Sequence, residues 1–240
     1  MHELINYLME TEKKKGLLSL ASSTDQDIVT MPINRLAILS DVIFALAMTS
    51  MLFAIDLPSS EDVSNTEELL VYFENKPPGT IIYLLSFLLV AVYWFKHLER
   101  FKYFKKTNST HLWIEIGFLA FLMLVPIMNT WTMILPDQPL PLAAYSFMMF
   151  MVGFLAFLSW NYATRKKELV SEDLSSTTIR QVKHESLVEP VIALVSIAMA
   201  WVNPMVWDIT MFSIPVFFIL QKRITTYYEK KERAKSAIVD

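Results

Sequence analysis

The sequence predicts an all-α integral membrane protein with six transmembrane helices, and three observations lead to this fold class. First, 54% of the 240 residues are apolar and only 19% are charged, and the mean hydropathy is +0.38. Second, the charged residues lie in blocks that are separated by long apolar stretches. Third, almost all basic residues fall on alternate connections between these stretches. A soluble core would spread its charge through amphipathic elements, so the pattern indicates the lipid bilayer as a partner.

Six apolar stretches account for the predicted spans, since a helix needs about 17–25 mostly apolar residues to cross the hydrocarbon layer. They cover residues 36–57, 80–95, 112–135, 142–163, 187–202 and 205–220. The last two are short and separated by Asn203-Pro204, which predicts a tight hairpin. All six tryptophans lie near the ends of these stretches, where amphipathic rings prefer the membrane interface. We therefore expect a transmembrane domain at 34–222, between an arm at 1–33 and a tail at 223–240.

The basic residues predict the orientation of these spans. Both termini and the second and fourth connections together hold 20 of the 21 lysines and arginines. The first connection, residues 59–79, holds only Lys76 against five acidic residues, which we interpret as a solvated loop. By the positive-inside rule, the basic side is cytoplasmic. The prediction is a multi-pass protein of the cell membrane with both termini in the cytoplasm, and five or seven spans would conflict with the rule.

Several classes of chemistry find no support in the sequence. Only four glycines are present, which excludes a P-loop, a dinucleotide fingerprint and the glycine-containing carbonyl filter of ordinary potassium channels. There is no cysteine, and the four histidines are scattered without metal-ligand spacing. No catalytic set emerges, and nothing points to nucleic acid. We therefore predict neither an enzyme nor a bound cofactor.

The first span carries the most informative pattern. Ser40 and Asp41 lie one to two helical turns into it, where an aspartate is expensive and normally faces protein or water. This pair either bonds to neighbouring helices or takes part in a pore or relay. At about 100° per residue, an apolar stripe lies on one side of the helix and Asp41 points away from it. The stripe consists of Arg35, Leu39, Val42, Leu46, Thr49, Ser50 and Phe53. It is typical of a lipid-facing or core surface, or of a hydrophobic constriction that gates a pore by dewetting.

The same segment resembles a known family. Arg35, Ser40 and Asp41 have the spacing of the first-helix signature Arg-x-x-x-Phe-Ser-Asp of the lysosomal potassium channel family called transmembrane protein 175, with Leu39 in place of the phenylalanine. The run Tyr93-Trp94-Phe95-Lys96-His97 and the six-span length are similar to the prokaryotic members. The resemblance implies a homotetramer whose first helices line a central pore for potassium and other monovalent cations.

The resemblance also implies roles for individual residues. It places the pore constriction at Leu46, Ser50 and Phe53, of which the last two depart from the aliphatic residues usual in the family. Thr49 corresponds to a polar layer beside the constriction. The motif residues Arg35, Ser40 and Asp41 are expected to tie the first helix to its neighbours, with Trp94 and His97 as their expected partners. A dry neck of this kind favours potassium modestly, because potassium loses its hydration shell more easily than sodium.

Three other functions remain open at this point. A secondary transporter would use Asp41 or Glu189 as an intramembrane proton site and would show coupled, saturable uptake. A structural or regulatory membrane protein would conduct nothing. An intramembrane enzyme would need a buried cluster of several polar side chains that is open to water or lipid.

Overall fold

The computed structural model describes residues 31–54, 65–75, 79–211 and 213–217. The predicted tail and nearly all of the predicted N-terminal arm lie outside these residues. Apart from two strands of two residues each and two short 3-10 segments, the regular elements are α-helices, which confirms the predicted all-α class. The helices are α1 (Ile33–Ser50), α2 (Thr66–Asn75), α3 (Gly79–Phe101), α4 (Ser109–Ile134), α5 (Pro139–Arg165), α6 (Ser176–Met199) and α7 (Pro204–Phe217).

Among the described residues, three helices are long and apolar enough to cross a membrane, namely α1, α4 and α5. The helices α3, α6 and α7 coincide with the predicted second, fifth and sixth stretches, but α6 begins well before the apolar run. Ser175 explains this early start, because its side chain accepts a hydrogen bond from the Thr178 amide and caps the helix. Capping therefore extends α6 into a polar segment that hydropathy alone leaves out.

The acidic first connection differs from its prediction as a solvated loop. Residues 66–75 form the helix α2. The side chain of Asn65 accepts a hydrogen bond of 2.9 Å from the Glu68 amide, and Glu67 and Glu68 lie in the first turn. A capping side chain and negative charges at the N-terminus both stabilise a helix. The loop interpretation was wrong for this segment because it considered the acidic residues only as surface charges and not as part of the first turn of a helix.

A small β-ribbon lies at one end of the helical bundle. The strand β1 (Met31–Pro32) pairs antiparallel with β2 (Lys106–Thr107), which joins the start of α1 to the connection between α3 and α4. We call this end of the bundle the ribbon end. A small apolar cluster around Phe104, Trp160 and Leu169 closes it. A longer cluster, to which α1 and α3–α7 contribute, forms the main core.

Five of the six tryptophans fall into two groups, although the sequence predicts all six at the membrane interface, and the sixth, Trp94, is partly buried. Trp113, Trp131 and Trp201 are at least half exposed, as an interfacial ring should be. Trp160 and Trp207 are instead buried and donate hydrogen bonds to the Ile179 carbonyl and the Ser146 hydroxyl. These two rings anchor α5 to α6 and to α7, because a buried indole N–H needs a hydrogen-bond acceptor.

Candidate functional site on the first helix

The helix α1 has one buried face and one exposed face. Leu36, Ser40, Phe44 and Ala47 are buried against the rest of the bundle. Away from this face, three apolar residues of the predicted stripe are 44–51% exposed and lie about one turn apart, namely Leu39, Val42 and Leu46. Ile38, which lies beside the stripe, is 64% exposed. The described part of the chain therefore leaves this part of the stripe uncovered, and we call Leu39, Val42, Leu46 and Thr49 the outer face of α1.

The hydroxyl groups at the end of α1 bond to their own helix. Thr49 Oγ1 donates to the Ala45 carbonyl at 2.8 Å, and Ser50 Oγ donates to the Leu46 carbonyl at 2.7 Å. Each hydroxyl thereby uses its proton within the helix, and its oxygen keeps lone pairs that can face a cation. Thr49 is exposed, whereas Ser50 is partly buried. The polar layer predicted at Thr49 thus presents acceptor oxygen atoms to the space beside the outer face.

The α-helix ends earlier than its predicted limit at residue 57. After Ser50 the backbone continues as a 3-10 segment over Met51–Ala54. A 3-10 helix turns by about 120° per residue, so the periodicity that placed Phe53 on the stripe does not extend to it. The backbone of Phe53 belongs to this segment, and its side chain lies outside the described residues. Leu46 and Thr49 remain on the regular part of the helix.

Among the first-helix motif residues, Asp41 reaches a neighbouring helix. Its carboxylate accepts a hydrogen bond of 2.8 Å from Trp94 Nε1 on α3. Ser40 is buried and donates to the Leu36 carbonyl at 2.8 Å, so its hydroxyl bonds within α1. Arg35 lies exposed in the first turn. The structure therefore brings Trp94 to the motif through Asp41, and this bond fixes the rotation of α1 against α3.

His97 lies beside a different part of α1. Its ring is 1% exposed and stacks on Phe118, with the rings of Phe44 and Phe101 beside it. Its Nδ1 atom lies 3.3 Å from a terminal nitrogen of Arg100. His97 thus contacts the buried face of α1 through Phe44, in an aromatic enclosure, whereas the bond to Asp41 comes from Trp94.

Sequence reasoning missed a buried polar cluster at the ribbon end. His111 Nε2 lies 3.0 Å from Ser159 Oγ, and Ser159 in turn donates a short hydrogen bond to the carboxylate of Glu115. His111 Nδ1 lies 2.9 Å from Thr107 Oγ1, on the strand that pairs with the residues before α1. All four residues are fully buried, so the cluster is closed to solvent and lacks the opening that an enzyme site requires. The sequence contains one signal for this cluster, because Glu115 is a charged residue inside an apolar run and such residues normally face other protein groups.

Part of this chain is similar to a known protein family. The family model described as "Endosomal/lysosomal potassium channel TMEM175" matches residues 35–126, which include most of α1, α3 and most of α4. A potassium channel of Chryseobacterium sp. (strain P1-3) is 30% identical over 97 residues. The match to this relative covers 40% of this chain and 47% of the relative, so the chain spans about half the length of the curated relative it matches. The predicted resemblance to the TMEM175 family is confirmed over residues 35–126.

Two solved structures have the same fold as this chain. One is a lysosomal potassium-selective channel TMEM175 homologue from Chamaesiphon minutus, with a TM-score of 0.65 at 20% identity over 79% of this chain and 97% of that chain. The other is a variant of the potassium channel MtTMEM175 in complex with a nanobody–MBP fusion, with a TM-score of 0.57 at 18% identity over 80% of this chain and 93% of that chain. The two similar proteins with a named organism are both bacterial, which supports the predicted resemblance to the prokaryotic members of the TMEM175 family. The fold similarity also extends beyond the family match at residue 126.

Proposed function

We propose that this chain is one subunit of a potassium-favouring cation leak channel whose pore is lined by the outer face of α1 and has no carbonyl selectivity filter. The observation that carries this proposal is the uncovered apolar stripe on α1. It lies on the helix that begins the family match. A long stripe of leucine and valine needs either lipid or another protein surface against it.

The assembly that covers this stripe is a homotetramer of six-span chains with cytoplasmic termini. Four copies of α1 that meet at a common axis bring their outer faces together and leave a narrow channel between them. A closed cyclic arrangement gives every copy the same environment, so a single chain sequence satisfies all four positions. The buried face of α1 is already packed within its own subunit, which leaves the outer face free for this role.

The constriction is assigned to a ring of Leu46 side chains. A ring of aliphatic groups offers no polar atom in place of the water around an ion, so the neck acts as a hydrophobic barrier. Potassium crosses it more readily than sodium because potassium holds its water less tightly. Thr49 lies one turn further along, where its oxygen atoms partly compensate the lost hydration. Ser50 and Phe53 are assigned to the outer part of the constriction by the family resemblance alone, because the regular turn of α1 ends at Ser50.

The motif residues hold the pore helix in place. The bond from Trp94 to Asp41 joins α1 to α3, and Asp41 lies on the side of α1 away from Leu46. A rotation of α1 about its axis would break this bond and turn Leu46 out of the neck. Arg35, Ser40 and Asp41 therefore act on conduction through the orientation of α1, and His97 supports the same helix through Phe44.

Potassium flux into liposomes that hold the purified protein tests the proposal, with Leu46→Ala and Leu46→Asn compared with the natural chain. Leu84→Ala on α3 is a matched control, because Leu84 is 50% exposed and Leu46 is 49% exposed. We expect passive, potassium-favouring flux that both Leu46 variants increase, about tenfold for Leu46→Asn, which corresponds to ~1.4 kcal/mol of barrier. The Leu84 variant should resemble the natural chain. Flux that is absent from folded protein, or that responds equally to both positions, would contradict the pore assignment.

A further inference from the structure

The buried polar atoms without a hydrogen-bond partner gather in one region of the described chain. They belong to three helices that face one another at the ribbon-end half of the bundle, and none of them lies on the outer face of α1. The atoms are Tyr93 OH, His97 Nε2, Arg100 Nε, Glu115 Oε2 and Glu189 Oε1. The three on α3 are four and three residues apart, which places them on one face of that helix. Buried polar groups normally have hydrogen-bond partners, so five unpartnered atoms in one region indicate a binding site and not ordinary packing.

The charges in this region do not balance. Arg100 is 6% exposed and lies within electrostatic reach of both Glu115 and Glu189, which are 0% and 7% exposed. One guanidinium thus faces two buried carboxyl groups, and the other cation near Glu189, the ammonium group of Lys96, is already paired with Glu185 at 3.3 Å. An unpaired buried charge costs several kcal/mol in general, and a buried carboxyl group avoids this cost by holding a proton.

The neighbouring histidines leave this imbalance in place. Arginine can only donate, so the contact from Arg100 makes His97 Nδ1 an acceptor and the His97 ring neutral. At His111, Nδ1 lies 2.9 Å from the Thr107 hydroxyl, which donates to the Asn108 carbonyl at 3.4 Å. Ser159 donates to Glu115, so its oxygen accepts from His111 Nε2. The His97 ring is therefore neutral, and His111, whose Nε2 atom lies 3.9 Å from the Glu115 carboxylate, acts on Glu115 and not on Glu189.

The surroundings of the two carboxyl groups show which one holds the proton. Glu115 accepts a hydrogen bond from Ser159, which stabilises its ionised form together with Arg100. Glu189 Oε1 lies against the backbone of Gly153, where an added Cβ would come within 2.8 Å of it. The next residue in the chain is Pro190, and the Tyr93 hydroxyl lies near Glu189 without completing a hydrogen bond to it. We propose that the carboxyl group of Glu189 is a proton-binding site, protonated in the resting protein, while Arg100 neutralises Glu115.

Partly exposed charged groups lie beside this site. Glu185 lies one turn before Glu189 on α6, and its carboxylate is 3.3 Å from the ammonium group of Lys96. Both side chains are partly exposed, at 16% and 25%. Lys96 also lies within electrostatic reach of Glu189. A further ionisable neighbour is Tyr145 on α5, which lies close to Tyr93.

Infrared spectroscopy of the full-length protein in liposomes tests this site, since a protonated carboxyl group has a carbonyl band that a carboxylate lacks. At neutral pH we expect such a band, which disappears as the pH is raised and is lost in Glu189→Gln. Tyr93→Phe should shift its frequency, because Tyr93 is the neighbour of Glu189, whereas Ser159→Ala, beside Glu115, should leave it in place. A spectrum without the band, or a band that shifts with Ser159→Ala and not with Tyr93→Phe, would overturn the proposal. The readout requires folded protein but no ion flux, so its outcome is independent of the channel assignment.

Discussion

The outer face of α1 and the interior between α3, α4 and α6 are opposite in character. The outer face is apolar and uncovered, with leucine and valine side chains about half exposed. The interior is buried, yet it contains a guanidinium, two carboxyl groups and two imidazoles. In a soluble protein the polar region would lie outside and the apolar region inside. This inversion is typical of a protein whose outside is covered by lipid or, as proposed above, by further copies of the chain.

This difference predicts two separable classes of substitution. Changes in the interior should alter the stability of the subunit, because they remove or displace partners that are already in contact. Changes on the outer face should alter ion flux and leave the subunit stable, because that face has no partner among the described residues of its own chain. Melting temperature in detergent and ion flux in liposomes measure the two effects independently.

The largest effect on stability is expected from Arg100→Gln. Removal of the guanidinium leaves the Glu115 carboxylate without the cation that neutralises it, and the loss of one member of a buried charged pair costs about 3–5 kcal/mol. Arg165→Gln is the control, because Arg165 is exposed at the end of α5 and should change stability by less than about 0.5 kcal/mol. Similar melting temperatures for the two variants would show that Arg100 does not neutralise Glu115.

A smaller loss is expected from Gly153→Ala. Its new methyl group would lie 2.8 Å from Glu189 Oε1 and 2.9 Å from Pro190 Cδ, so α5 and α6 must separate or Glu189 must move. Overpacking of this kind typically costs about 1–3 kcal/mol. Gly117→Ala on α4 gains the same helix propensity but would contact only Leu155, at 3.6 Å. The melting temperature should fall for the first variant and stay equal or rise for the second, and the reverse order would contradict this packing.

The bond between Asp41 and Trp94 connects the two regions, so its loss should affect both measurements. Trp94→Phe keeps the aromatic ring and removes the donor of the 2.8 Å bond, which should cost about 1 kcal/mol of stability and lower the flux. Trp113→Phe is the comparison, because that ring is 70% exposed. If both variants behaved like the natural chain, the bond would not hold α1 in its conducting orientation.

The smallest effect is expected from Thr49→Val, which replaces the hydroxyl by a methyl group of similar size. Loss of this oxygen should change the ratio of potassium to sodium flux by about two- to threefold, or ~0.5 kcal/mol of barrier. Thr210→Val on α7 removes a hydroxyl that also donates to its own helix at 2.8 Å. The melting temperatures of both variants should stay close to that of the natural chain. A larger change of the flux ratio at Thr210 would place the polar layer elsewhere.

The sequence predicted the helical class and the stripe on α1 because both depend on local periodicity. Leu46 and Thr49 follow from the regular turn of a helix, and the stripe ended at Ser50 only because the backbone changes to a 3-10 helix. The interior was missed because its partners are distant in the chain: Glu115 and Ser159 are 44 residues apart. Spacing along one helix cannot show such a contact. His97 was predicted as a partner of the motif because it is near Trp94 in the sequence. The two residues are about one helical turn apart on α3, and the His97 ring lies beside Phe44.

Single cysteines on α1 test the proposed pore most directly, which is practical because the natural chain contains no cysteine. Cysteine replaces Val42, Leu46 or Thr49 on the outer face, and, as controls, Leu84 or Leu88, which are similarly exposed but lie on α3. Silver ions resemble potassium in size and bind thiols, so they should block flux at the first three positions and leave it unchanged at the other two. Block at Leu84 and Leu88, or none at Leu46, would contradict a pore lined by the outer face of α1.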